Sequence, residues 1–118
     1  MHLPHPLMPP AGTRVRAWCF TDNKAEGKVH QEILDLFKNA VYCVFQREKE
    51  AHEHFQGYVY FNNPKSLVGV RRLLPTAHWT VAEGTPEQNR VYCTKEETRI
   101  EGPWSFGEIP RQVMSEGP

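Results

Sequence analysis

The 118-residue sequence has no surplus charge of either sign: 14 Lys and Arg balance 14 Asp and Glu. That excludes a uniformly basic nucleic-acid-binding domain, so any contact with DNA or RNA must come from a local site. No apolar run approaches the roughly 20 residues of a membrane-spanning helix, and no membrane partner is expected. The first twelve residues lack the basic and then apolar stretches of a secretory signal. Cysteine is scarce: Cys19, Cys43 and Cys93 are odd in number, far apart and never in a C-x-x-C pair. A disulfide framework and a cysteine-based zinc site are thereby excluded, and the three read as reduced thiols. A G-x-x-x-x-G-K-[ST] phosphate loop is also missing, so this stretch encodes no nucleotide-driven motor.

What remains is a composition of 39% hydrophobic and 11% aromatic residues, which suits one globular α+β domain of a size that buries about two thirds of its unfolded surface. Residues 1–13, with prolines at 4, 6, 9 and 10, read as a flexible leader. Residues 14–108 read as the domain, and 109–118 as the start of a linker, since the Pro- and Gly-containing tail from Gly102 looks like an exit.

Arg14 to Thr21 alternates like a strand, with Val15, Ala17 and Cys19 on one side and Arg14, Arg16, Trp18 and Phe20 on the other. Val29, Ile33, Leu36, Phe37 and Ala40 recur at helical spacing and predict a helix with one buried stripe over 29–40. Val41 to Gln46 reads as a second strand, followed by a charged connection over 47–53. His54 to Phe61 alternates again, setting Phe55, Val59 and Phe61 against His54, Gln56, Tyr58 and Tyr60. Asn63 and Pro64 look like a helix start, and Pro75 stops that helix. His78 to Val81 is a short strand. Thr85-Pro86-Glu87-Gln88 is a capping box that opens a last helix running to about Glu97. The order predicts a split β-α-β sandwich with a central antiparallel sheet of about five strands, helices on one face and the site on the other.

Three constellations carry chemistry. His54 and Gln56, two apart on a strand, point the same way, and the neighbouring strand ends in the loop holding Glu48. An imidazole, an amide and a carboxylate without thiolate suit Mg²⁺ or Mn²⁺. The pair can equally just face water, and His52, in phase with His54, competes as a ligand. Second, Gln88, Tyr92 and Lys95 share a helix face. A phenol of pKa near 10 is barely ionised at neutral pH, and a lysine one turn away can stabilise its phenolate or orient a phosphate. Third, Trp18, Phe20, Tyr58 and Tyr60 near Arg14 and Arg16 can form a stacking platform for unpaired bases, or can pack beneath the last helix. On that platform alone, a non-catalytic single-stranded nucleic-acid-binding module is the alternative reading.

Phe20-Thr21-Asp22-Asn23, His54-Phe55-Gln56-Gly57 and Tyr92-Cys93-Thr94-Lys95 resemble, in order, the three motifs of HUH-type replication-initiator (Rep) endonucleases of circovirus-like circular single-stranded DNA viruses. The resemblance implies that Glu48, His54 and Gln56 hold Mn²⁺ or Mg²⁺. It further implies that Tyr92 is the nucleophile that becomes linked to a 5′ phosphate and that Lys95 assists it. Phe20, Thr21, Asn23 and Tyr58 are the expected DNA contacts. The implied activity is site-specific nicking and joining of single-stranded DNA at a hairpin origin, initiating rolling-circle replication in the host nucleus. A helicase domain is expected downstream in a longer protein.

Overall fold

The computed structural model describes residues 8–111. Parts of the expected leader (1–7) and linker (112–118) therefore lie outside the described residues. Eight elements follow in chain order: β1 (Arg14–Asp22), α1 (His30–Leu36), β2 (Tyr42–Lys49), β3 (Glu53–Ser66), α2 (Leu67–Leu73), β4 (Ala77–Val81), α3 (Pro86–Cys93) and β5 (Arg99–Gly107). The strands form one sheet in the order β4-β1-β3-β2-β5, and every neighbouring pair is antiparallel. This is the expected α+β sandwich.

Alternation along the strands divides the apolar residues between two layers. Under α1 and α2, Trp18, Phe20, Ile33, Phe37, Phe45, Phe55, Val59 and Trp79 form the main core. On the opposite face a smaller cluster of Cys19, Tyr42, Val44, Tyr58 and Cys93 lies under α3. The third helix thus crosses the site face rather than joining the other two. Gly57 permits the central crossing of β1 and β3. A Cβ there would run into the Phe20 ring and come within 2.8 Å of the Phe45 Cβ.

Several expectations are corrected. Trp18 and Phe20 do not share a face with Tyr58 and Tyr60. Trp18 pairs with Val59 and Phe20 with Gly57, which puts both rings in the main core. Residues 47–49 belong to β2 rather than to a charged loop, so Glu48 is a strand residue opposite His54. The helix expected from Asn63 begins instead at Leu67, because Ser66 is the cap: its Oγ accepts from the Gly69 amide at 3.1 Å. Pro64 lies in β3, where its missing N–H falls in the register break opposite Val15 to Ala17. The first helix ends at Leu36, which is exposed along with Val29. The last helix ends at Cys93 rather than near Glu97. The tail from Gly102 is no exit: it forms most of β5, an edge strand on β2.

Strand β2 shows the alternation in three consecutive residues. Gln46 and Glu48 point to the α3 face. Arg47 points to the other, where its guanidinium donates to the carbonyls of Ala25 at 2.9 Å and Lys28 at 2.5 Å and stacks 4.4 Å over the Phe55 ring. That grip anchors the connection between β1 and α1.

Candidate active site

The site is assembled from the ends of β2 and β3 and the exit of α3. Cross-strand pairing sets Glu48 opposite His54 and Gln46 opposite Gln56, and residues facing each other this way bring their side chains together. His54 Nε2 donates to Glu48 Oε1 at 3.0 Å. From two residues beyond the end of α3, Lys95 Nζ donates to Glu48 Oε2 at 2.8 Å and lies 4.2 Å from the centroid of the Tyr92 ring. Gln46 Nε2 donates both to Glu48 Oε2 and to the Lys95 carbonyl, each at 2.8 Å. One carboxylate thus connects imidazole, ammonium and amide, and the ammonium connects it to the phenol.

Burial alone would raise the pKa of Glu48. The hydrogen bonds from His54, Lys95 and Gln46 favour its charged form and outweigh burial, holding it at about 2. Tyr92 is half-buried, and burial lifts its pKa above the ordinary phenol value while the Lys95 charge pulls it down. Burial pushes the Cys19 and Cys43 thiols up to about 12, and that of Cys93 well up too, so the thiols are inert beside the site.

The local sequence explains the placement of Tyr92. Thr85 caps α3 by accepting from the Gln88 amide at 3.0 Å, and Gln88 Oε1 accepts in return from the Thr85 amide at 2.8 Å. One turn before Tyr92, the fully buried Asn89 donates to the carbonyls of Glu83 at 2.7 Å and Thr85 at 2.9 Å. Its Oδ1 accepts from the Cys19 thiol at 3.1 Å, which ties α3 to β1.

Of the residues singled out from the sequence, Glu48, His54, Tyr92 and Lys95 come together directly. Gln56 adjoins them, but its amide is engaged with β1: Oε1 accepts from the Thr21 hydroxyl at 3.1 Å and Nε2 donates to the Phe20 carbonyl at 3.3 Å. Thr21 therefore orients Gln56. Asn23 is exposed and accepts from His52 Nε2 at 3.0 Å, so His52 turns to the β1 exit while His54 takes the buried position by Glu48. Phe20 and Tyr58, expected as DNA contacts, are each 1% exposed. Neither can offer its ring to a base, because one lies in the main core and the other beneath α3.

Three site residues were missed by sequence reasoning. Gln46 has an Oε1 that is buried without a hydrogen-bond partner. Glu50 joins Glu48 and His54 in a group whose potential ligand atoms lie within 4.8 Å of one another. Its signal was present, since it stands two positions after Glu48, as Gln46 stands two before. Asn89 gave no signal, because its role depends on partners in two other elements. The nitrogen and oxygen donors fit a hard or borderline divalent cation, and an unpartnered amide oxygen beside an ionised carboxylate strengthens that fit.

The family described as "Putative viral replication protein" matches residues 15–96. The master replication protein of Milk vetch dwarf virus (isolate N) is 39% identical over 112 residues, covering 87% of this chain and 37% of the relative. That of Banana bunchy top virus is 41% identical over 93 residues, covering 79% and 32%. Para-Rep C1 of Milk vetch dwarf C1 alphasatellite is 39% identical over 92 residues, covering 78% and 32%. The chain spans about a third of the length of these relatives. With the match running from β1 through α3, and so across every element that builds the site, the chain belongs to the viral replication-protein (Rep) family.

Proposed function

We propose that this chain is the nicking and joining domain of a replication initiator, cutting single-stranded DNA at a hairpin origin through a covalent tyrosyl intermediate. The observation that carries this reading is the bridge from Tyr92 through Lys95 to the Glu48–His54 pair. A phenol alone is a weak nucleophile at neutral pH, and here burial weakens it further. The Lys95 charge, 4.2 Å from the ring, is the group that favours the phenolate and also attracts a phosphodiester.

In the proposed reaction the Tyr92 oxygen loses its proton and bonds to phosphorus. The bond from phosphorus to the 3′ oxygen breaks, and that oxygen takes up a proton to leave as a 3′-OH. The 5′ phosphate stays on Tyr92. Because a phosphodiester is exchanged for a phosphodiester, a 3′-OH can attack the adduct and reseal the strand without ATP. Glu48 and His54, with Gln56 beside them, would hold a divalent cation, Mn²⁺ or Mg²⁺. When bound, such an ion supplies positive charge that polarises the phosphate and stabilises the departing oxygen. Glu48 also holds Lys95 in place, while Asn89 and the Thr85 cap fix the helix that presents Tyr92.

The relatives' names, master replication protein and Para-Rep, support a role in starting viral DNA replication, and the two thirds of their length beyond this chain leave room for a helicase domain. Nuclear action in the host is part of the same proposal. Incubation with a labelled origin oligonucleotide and Mn²⁺ tests it. A protein–DNA adduct that survives denaturing electrophoresis and is lost in Tyr92→Phe is expected. Absence of any adduct or cleaved strand with the wild-type chain defeats the proposal.

A further inference from the structure

Helix α3 ends at Cys93, with Thr94 as its C-terminal cap. Lys95 therefore stands outside the helix that carries Tyr92, and the helical hydrogen-bond ladder does not place it. Donors from other elements do, by taking the carbonyls that the end of a helix leaves free and those just beyond it. Arg99 Nη1 on β5 donates to the Thr94 carbonyl at 3.0 Å, Gln46 Nε2 on β2 to the Lys95 carbonyl at 2.8 Å, and the Lys49 amide to the Thr98 carbonyl at 2.9 Å.

Gln46 reaches both ends of Lys95. Its Nε2 also donates to Glu48 Oε2 at 2.8 Å, the oxygen that accepts from Lys95 Nζ. A closed ring thus runs from the Gln46 amide to the Lys95 carbonyl, along the lysine to its ammonium, through Glu48 Oε2 and back to the amide. Glu48 Oε1 is left to His54. The ring fixes the direction in which the ammonium approaches the phenol ring of Tyr92.

The orientation of the amide follows from its neighbours. Turned over, it would set Oε1 against a carboxylate and a carbonyl, two acceptors with no proton to share. In the orientation adopted both acceptors are satisfied, and Oε1 is buried without a partner. A side chain that merely filled this space would carry no such orphan. Glu48 has donors of its own in His54 and Lys95, so the distinctive bond of Gln46 is the one to the Lys95 backbone. Gln46 is fully buried and acts through its neighbours rather than by touching DNA.

We propose that Gln46, seconded by Arg99, is a positioning residue that aims the Lys95 ammonium at Tyr92 and the incoming phosphate. Its effect on catalysis rests on the nicking proposal; the hold on Lys95 does not.

A double-variant cycle tests the inference, with single-turnover adduct formation and DNA affinity measured for the wild-type chain, Gln46→Met, Lys95→Met and the two combined. Gln46→Met keeps the length of the side chain and removes both N–H groups. It should slow adduct formation by roughly 10–10²-fold, the scale of loss when a reacting group is displaced by about 1 Å, with DNA affinity near wild type. In the combined variant the loss should be that of Lys95→Met alone. Losses that multiply, a loss that tracks weakened Mn²⁺ binding in calorimetry, or a wild-type rate in Gln46→Met would each overturn the inference. If Gln46→Met melts early, Arg99→Met at the half-buried β5 position completes the same cycle with Lys95→Met. Acetylation of the lysines, read by mass spectrometry, needs no nicking: Lys95 should react faster relative to the other lysines in Gln46→Met than in wild type, and unchanged labelling counts against the hold. A wild-type chain that forms no adduct, while Lys95 labelling rises in the variant, would sink the nicking proposal and leave the hold standing.

Discussion

Lys95 and Glu48, 47 positions apart in sequence, meet at 2.8 Å across the junction of α3 and β2. The carboxylate is 1% exposed and the lysine side chain 21%, so the pair is shielded from solvent on the acidic side and open on the basic side. An ammonium held this way stays accessible to an incoming phosphate while its anchor remains ionised.

The first prediction concerns acid. Glu48 titrates at about 2 when folded, against an ordinary value of 4.5. A depressed folded pKa contributes stability that is fully present above the unfolded value and is lost as the pH falls through the folded one. Stability should therefore decline between about pH 4.5 and 2, by roughly 3 kcal/mol from this group. Denaturant titrations across that range should show a flatter profile in Glu48→Gln; identical profiles would count against the buried, triply bonded carboxylate.

Tyr92→Phe and Lys95→Met separate nucleophile from helper. Tyr92→Phe removes one hydroxyl from a half-buried ring, so it should fold with a stability change under about 1 kcal/mol yet give no adduct. Lys95→Met should lower the cleavage rate by about 10²–10³-fold, the usual cost of one transition-state donor, with a smaller effect on DNA affinity. Because the Lys95 charge lowers the Tyr92 pKa, the rate should rise with pH at higher values in the variant than in wild type. Single-turnover rates over a pH series measure this shift, and coincident profiles would detach Lys95 from the phenol.

A pair of histidine variants fixes the metal register. His54→Ala should abolish cleavage and weaken Mn²⁺ binding in calorimetry, while His52→Ala should leave Mn²⁺ binding near wild type, since His52 is exposed and bonded to Asn23. The opposite ranking would move the ligand position to His52.

Gly57 tests how tightly the sheet crossing is made. Gly57→Ala must push aside the Phe20 ring or the backbone beside Phe45. A cost of about 1–3 kcal/mol is expected, which lowers the melting temperature by about 4–8 °C for each kcal/mol. A melting temperature equal to wild type would show that the crossing has slack.

The parts of this structure legible in the sequence were those written into one continuous segment. The alternation of His54 to Phe61 assigned each side chain to its correct face, and the Thr85 to Gln88 capping box located the start of α3. Facts that depend on a partner strand were not legible. Trp18 and Phe20 were rightly placed opposite Cys19, but only pairing with Val59 and Gly57 reveals which face is covered by α1 and α2. Strand β5 was missed because Gly102 and Pro103 interrupt the alternation of Ile100, Trp104 and Phe106, and nearly all of its residues are exposed, with only Arg99 and Trp104 half-buried. In the site, Glu48, His54, Gln56, Tyr92 and Lys95 were read from their motifs. Gln46 and Glu50 were signalled only by standing two positions either side of Glu48, while Asn89 owes its place to contacts between elements.

The three-residue run Gln46-Arg47-Glu48 on β2 ties two distant features to a single choice of hydrogen-bond ladder. Sliding β2 by one position against β3 would exchange its two faces, sending a guanidinium toward the phenol and a carboxylate into the layer of phenylalanines. Misaligned chains would thus forfeit the reactive cluster and the clasp on the β1–α1 connection at once, so correct strand alignment and a competent nuclease face are achieved in the same folding event.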